Sequence, residues 1–319
     1  MKNKAKCKSK CHCKKHGTKK EANKVSKILF LFLSISAVLF AMFLRNKDKE
    51  KRANENFPPI GEILDIQGCK IHYFNQGAGE NIVLLHGKSG SLFDFYLSDF
   101  WKKLTAKYNV VAIDLPGYGN SKRANWKDYG FENQAIIVSE VLEKLNIEKP
   151  ILVGYEESCG IILSMLLKNQ DNYKSAILLN DGMPEEISFL EKFFGNKILK
   201  NILLWTVLPF MKESQFEEIK PELSAEYQEK IDFDTRVSQI LTSYENKKYM
   251  RDSEFESLYN EKVKTPVKFI SASSNRLTPN LIPFVRDYFE NYSVKYIGNF
   301  ESFLTLIESK EFAECLEKD

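Results

Sequence analysis

Val111-Ala112-Ile113-Asp114-Leu115-Pro116-Gly117-Tyr118-Gly119-Asn120-Ser121 is the stretch on which the fold turns. An apolar run, Val110–Ile113, stops at an aspartate, and a Pro-Gly pair with a second glycine two residues on forces a loop. Similar runs recur on both sides. Ile82–Leu85 ends at His86-Gly87, Ile151–Val153 runs into Gly154, and Ala176–Leu179, Val267–Ile270 and Val294–Ile297 follow. Glu62–Asp65 and Lys70–Phe74 read as shorter strands ahead of them, and helical stretches such as Asn133–Leu145 and Ile161–Lys168 fall between. Short apolar strands alternating with helices specify an α/β fold with a mostly parallel sheet. In such sheets the functional loops gather at the carboxyl ends of the strands.

The alternation breaks over residues 183–262. This stretch reads as helices only: Ser188–Phe194, Lys197–Leu208, Ser224–Ile231, Asp234–Glu245 and Ser253–Tyr259. Inserted between two core strands, it is expected to form a cap over the strand ends, with its Phe, Leu and Trp205 content serving cap packing.

From about Gly61 to Leu316 the chain resembles the α/β-hydrolase superfamily, in the branch with a helical cap. Leu84-Leu85-His86-Gly87 looks like that family's oxyanion loop, and Asp114–Ser121 matches its D-x-P-G-x-G-x-S loop. Pro150-Ile151-Leu152-Val153-Gly154 matches the strand entering the nucleophile elbow, and Pro266-Val267-Lys268-Phe269-Ile270 the strand before the acid loop. The resemblance implies a Ser-His-acid hydrolase site, and here the sequence departs from the family. The elbow motif G-x-S-x-G reads Gly154-Tyr155-Glu156-Glu157-Ser158-Cys159-Gly160. Counted from Gly154, Glu156 holds the nucleophile position and Ser158 that of the second glycine. A shift of two would make Ser158 the nucleophile and Gly160 the final glycine, at the cost of the first. The acid loop reads Ser273-Ser274-Asn275-Arg276, with Asn275 in the acid's place. The last loop reads Ile297-Gly298-Asn299-Phe300, with Asn299 in the histidine's place. Asp181, after the strand that precedes the cap, is an alternative acid, where some relatives carry theirs.

The histidines are His12, His16, His72 and His86, and none follows His86. A serine nucleophile needs an imidazole to take its proton and return it to the leaving group. His86 belongs to the oxyanion loop with Gly87 and Lys88, where the family uses it to hold loop shape. Relatives such as haloalkane dehalogenases and epoxide hydrolases attack with an aspartate at the elbow. Glu156 is one methylene longer, and with Asn299 in place of the base an ester intermediate would stall at its second step. Lys88 stands where a cation would stabilise an oxyanion, or would pair with Glu156 across the former site. The sequence thus reads as a degenerate hydrolase that binds or scaffolds, the alternative being an ester- or amide-type hydrolase with an unorthodox site around Glu156 and Ser158. The expected ligand is small and apolar or ester-like. No cofactor is implied.

Outside this domain the composition changes. Residues 1–58 carry 16 Lys/Arg against 4 Asp/Glu, and residues 59–319 carry 30 against 39. The basic charge therefore belongs to a tail and the globular part is acidic, which argues against a nucleic-acid-binding core. Residues 1–24 form a lysine-rich tail expected to be disordered. Its Cys7, Cys11, His12, Cys13 and His16 have ligand-like spacing but sit among lysines that repel a cation, and no metal is assigned to them. Residues 25–45 contain the uncharged run Ile28–Leu44, flanked by basic residues at both ends and about long enough to cross a bilayer. A cleaved signal peptide needs small residues before a cut site, and Phe40-Ala41-Met42-Phe43-Leu44 has no A-x-A pattern. The expectation is an uncleaved anchor with its lysine-rich N-terminus cytoplasmic and the domain across the membrane. Residues 46–59 read as a polar linker closed by Pro58-Pro59, and residues 60–319 as the folded domain. Cys69, Cys159 and Cys315 are too scattered for a disulfide framework.

Overall fold

The computed structural model describes residues 8–124, 129–180, 196–217, 220–251, 262–271 and 281–296. It opens with one long helix, α1 (Lys8–Asn56). Then come strands β1 (Glu62–Ile66), β2 (Cys69–Gly77) and β3 (Glu80–Leu85), helices α2 (Phe93–Tyr96) and α3 (Asp99–Thr105), and strand β4 (Tyr108–Ile113). Helix α4 (Phe131–Lys144), strand β5 (Ile151–Tyr155), helix α5 (Glu157–Asn169) and strand β6 (Ser175–Leu179) complete the first part of the domain. Among the described residues the insertion then contributes α6 (Lys197–Trp205), α7 (Val207–Ser214), α8 (Ala225–Asp234) and α9 (Val237–Arg251), followed by β7 (Val267–Ser271), α10 (Leu281–Tyr288) and β8 (Tyr292–Tyr296).

The strands form one sheet in the order β1-β2-β4-β3-β5-β6-β7-β8. β1, β2 and β4 pair antiparallel, and every neighbour pair from β4 to β8 is parallel. The central strands β3, β4 and β5 are buried on both faces, as their unbroken apolar runs require. One side packs Val83, Leu85, Val111 and Ile113 with α4 and α5. The other packs Leu84, Ala112 and Val153 with Phe93, Phe95, Trp101 and Phe233 of the cap. The parallel register aligns Leu85 with Ile113 and with Gly154, Tyr155 with Leu179, and Leu179 with Ile270. The loops after these strands therefore emerge on one edge of the sheet.

The region 46–59 is not a linker. α1 runs without a break through Asn56, and a stripe at Asn46, Lys49, Ala53 and Phe57 is buried against the domain. The stripe was hidden because its first two members are polar and are buried by pairing rather than by apolar contact. The expected helix over 197–208 is two helices that meet at Thr206. Pro209 lacks the N–H that would bond to the carbonyl of Trp205, so the helix breaks there. The Asn46 side-chain amide supplies the missing donor, at 3.0 Å to the carbonyls of both Trp205 and Thr206. Beside it, Lys49 donates to Glu213 and, at 2.6 Å, to the hydroxyl of Thr235, while Arg45 pairs with Glu213 at 2.6 Å. Phe57 closes the contact between Phe93 of the core and Phe233 of the cap, with ring centroids 5.1 and 5.2 Å away.

Candidate active site

Glu156 sits between the end of β5 and the start of α5 with φ 49° and ψ −118°. A non-glycine residue rarely adopts such a conformation, and it persists only where its surroundings impose it. The surroundings here are visible. The Glu156 N–H donates to the carbonyl of Leu179 at 3.0 Å, and the Cys159 N–H donates back to the carbonyl of Glu156 at 2.8 Å. Gly154 lets α5 approach β5: a Cβ there would stand 2.6 Å from Ile162 Cδ1. Gly160 has a different reason to be glycine, since its Cβ would stand 2.5 Å from the ring of Phe131 on α4. Helix packing accounts for Gly160, and the strained turn belongs to Gly154-Tyr155-Glu156.

Ser158 is the second residue of α5. It is fully buried and its hydroxyl donates to the carbonyl of His86. The side chain of Glu156 is half-buried and turns toward the oxyanion loop. Its Oε2 lies 3.1 Å from the point where a Cβ on Gly87 would stand. Lys88, also half-buried, is the next residue along that loop. Asp181, Asn275 and Asn299 lie outside the described residues. The strands that lead to them, β6, β7 and β8, end on the same sheet edge as Glu156.

Both imidazoles of the domain are engaged. The Leu115 N–H donates to His86 Nε2 at 3.0 Å, so the ring proton is on Nδ1, which donates to the Gly87 carbonyl at 2.8 Å. Burial pushes the His86 imidazole below its ordinary pKa, against the opposing pull of Asp114. A neutral ring with both nitrogens occupied ties the oxyanion loop to the loop after β4 and has no site left for substrate chemistry. His72 is fully buried, donating from Nδ1 to Asp114 Oδ2 at 2.7 Å. Asp114 also accepts from the N–H groups of Leu92 at 2.7 Å and Asn120 at 2.8 Å, and Ser121 donates to its carbonyl at 2.7 Å. The D-x-P-G-x-G-x-S loop is thus an assembly of buried polar groups that satisfy one another.

Sequence reasoning missed the charged clasp between cap and core. Lys230 of α8 is buried between Asp234 of its own helix and Asp94 beside the oxyanion loop. Burial raises Asp234 to about 7, with the charge of Asp94 adding to it and that of Lys230 opposing. Arg236 stacks on Phe233, with its guanidinium carbon 3.5 Å from the ring centroid. It donates to the Gly119 carbonyl at 2.8 Å and to Asn54 of α1. Thr242 of α9 donates to the Gly117 carbonyl at 3.0 Å. α8 and α9 therefore lie over the β3 and β4 loops. The only sequence signal for this was a cluster of charges on helices that otherwise pack a core, and composition alone cannot distinguish it from a solvated face.

The family model described as alpha/beta hydrolase fold matches residues 80–307. The chain belongs to the α/β-hydrolase fold family. Among curated relatives, the uncharacterized hydrolase YugF of Bacillus subtilis is 32% identical over 108 residues, which is 34% of this chain and 38% of that protein. This chain thus aligns with less than half of YugF's length. The uncharacterized hydrolase YraK of Bacillus subtilis is 24% identical over 263 residues, 79% of this chain and 93% of that one. Among solved structures, a bacterial membrane phospholipase A superposes with a TM-score of 0.60 at 18% identity, covering 93% of this chain and 97% of that one. At that identity the likeness is one of fold. The mostly parallel α/β-hydrolase sheet is as the sequence implied, and α1 is long and apolar enough to cross a membrane; of the expected cap helices, Ser188–Phe194 and Ser253–Tyr259 lie outside the described residues.

Proposed function

We propose that this chain is a membrane-anchored, degenerate α/β-hydrolase that acts by binding or scaffolding through its capped site. The observation that carries the reading is Glu156 on the strained elbow of a domain whose two imidazoles are both committed to holding loops. No histidine follows His86 in the sequence. A carboxylate at the elbow could form an ester intermediate, but without a base it has no route to hydrolyse it. The ligand we assign to the site is small and apolar or ester-like.

Helix α1 serves in this reading as an uncleaved anchor, with the N-terminus cytoplasmic and the domain on the other side. The lysine excess before the apolar run supports the orientation. The contact of Phe43 with Trp205 of the cap, at 5.4 Å between ring centroids, supports retention of the helix. Protease added to sealed spheroplasts should digest the domain, and protection until lysis would invert the orientation.

The catalytic question is tested on the full chain with a panel of p-nitrophenyl esters and a fluorophosphonate probe. The expected result is neither saturable turnover nor labelling. A second reading, a hydrolase with an unorthodox site around Glu156, Ser158, Lys88 and Asp181, is favoured by the carboxylate seated on the elbow's strained turn. Turnover or labelling abolished by Glu156→Gln or Ser158→Ala would establish it. The combined change Glu156→Ser, Asn275→Asp and Asn299→His should restore esterase activity if only the triad has been lost.

A further inference from the structure

Helices α6 and α7 present large apolar side chains to the outside of the cap. Ile198 is 74% exposed, Ile202 42%, Phe210 58% and Met211 41%. Ile198 and Ile202 are four residues apart on α6, so they share one helix face. The same two helices also make the contacts with α1 and the rest of the cap. Leu204 is buried, Trp205 packs on Phe43, and Glu213 holds Arg45 and Lys49.

The position of this patch along α1 identifies what covers it. Every described residue from Asn23 to Val38 is exposed, whereas Leu39, Met42 and Phe43 are partly buried. The cap thus reaches alongside the end of the apolar run Ile28–Leu44. At about 1.5 Å per residue the overlap from Leu39 to Leu44 is roughly 8 Å of helix. A bilayer that receives the apolar run also receives the level of α1 at which α6 is packed. Apolar helix faces that lie in the plane of a membrane bury about 5–10 Å into the boundary between headgroups and acyl chains.

We infer that the outer face of α6 and α7 is a membrane-docking surface, seated in the headgroup–acyl boundary of the bilayer that α1 crosses. The cap is then wetted by lipid on one side and closes the candidate site on the other, so a ligand enters from the membrane rather than from water. The inference rests on the anchor reading above.

The test uses the full chain in phosphatidylcholine–phosphatidylglycerol nanodiscs, with p-benzoyl-phenylalanine replacing one residue at a time. The positions are Phe32 in the apolar run, Phe210 on the cap, and Ile63 and Tyr292, exposed on the edge strands β1 and β8. After illumination, lipid adducts are measured by mass spectrometry. Phe32 and Phe210 should both give adducts several-fold above Ile63 and Tyr292. Adducts at Phe32 with Phe210 at the level of the edge strands would overturn the inference and leave the anchor standing. Cross-linking of Phe210 to a second copy of the chain in place of lipid would overturn it in favour of self-association. Absence of adducts at Phe32 would overturn the anchor reading, and the docking surface with it.

Discussion

The Asn46 side chain donates at 3.0 Å to the carbonyl of Trp205, an acceptor that Pro209 cannot serve. One amide on the N-terminal helix thus completes the backbone of the cap at its break. Asn46→Leu removes that donor and leaves the Trp205 carbonyl without the partner that stands in for Pro209. The expected loss is about 1–3 kcal/mol, read by denaturant melts. Hydrogen exchange should quicken in α6 and α7 and stay unchanged in β3, β4 and β5.

Acid should loosen the same junction. Burial pushes the Glu213 carboxyl up, but hydrogen bonds and charge from Arg45 and Lys49 outweigh it and hold its pKa below the ordinary value. A carboxylate depressed in the folded state contributes stability that is present above its unfolded pKa and lost as pH falls through the folded one. The gap in melting temperature between the native chain and Glu213→Gln should be constant near neutrality and close below the ordinary carboxylate range.

Lys230 neutralises two carboxylates in a buried setting. Lys230→Met leaves Asp94 and Asp234 facing each other without a cation, and should cost roughly 3–5 kcal/mol. Adding Asp94→Asn and Asp234→Asn should recover most of that loss. Denaturant melts of the single and triple variants decide this, and a triple variant no more stable than Lys230→Met would refute the clasp.

Backbone strain at the elbow is separable from the chemistry of its side chain. Glu156→Ala and Glu156→Gly both delete the carboxylate, but only glycine relaxes at φ 49°. Glycine should therefore be the more stable of the two by about 1 kcal/mol, the lower end of the strain held at such positions. Thermal melts of the pair measure the difference.

Where the domain begins can be tested by truncation. A chain begun at Arg45 keeps Asn46, Lys49, Ala53 and Phe57 and should unfold cooperatively. One begun at Pro58 loses all four, and the empty Phe57 site alone should cost about 3–5 kcal/mol. Calorimetry of the two chains should show the shorter melting well below the longer.

The sheet was legible because its central strands are buried on both faces. Their apolar runs mark β3, β4 and β5 to within a few residues, and the strand-only and helix-only stretches placed the cap insertion. The positive φ falls on Glu156, the residue reached by counting from Gly154. Hydropathy was blind to polar burial. Asn46 and Lys49 read as linker and Ser158 as a rival nucleophile, and nothing in the hydropathy marked Lys230 or Arg236 as buried. Each is buried because its partner comes from a distant part of the chain: Trp205, Thr235, Asp94, Gly119 and the carbonyl of His86. Local periodicity carries no trace of such partners.

Helix α1 has no joint between its apolar run and the cap. In the anchor reading proposed above, it works as a rigid mast bolted to the lid of the site. A helix answers a thicker or thinner membrane by changing its tilt, and a mast without a hinge passes that angle to whatever it carries. Bilayer thickness then becomes a mechanical input to the lid, felt first at the Asn46 and Lys49 fastenings.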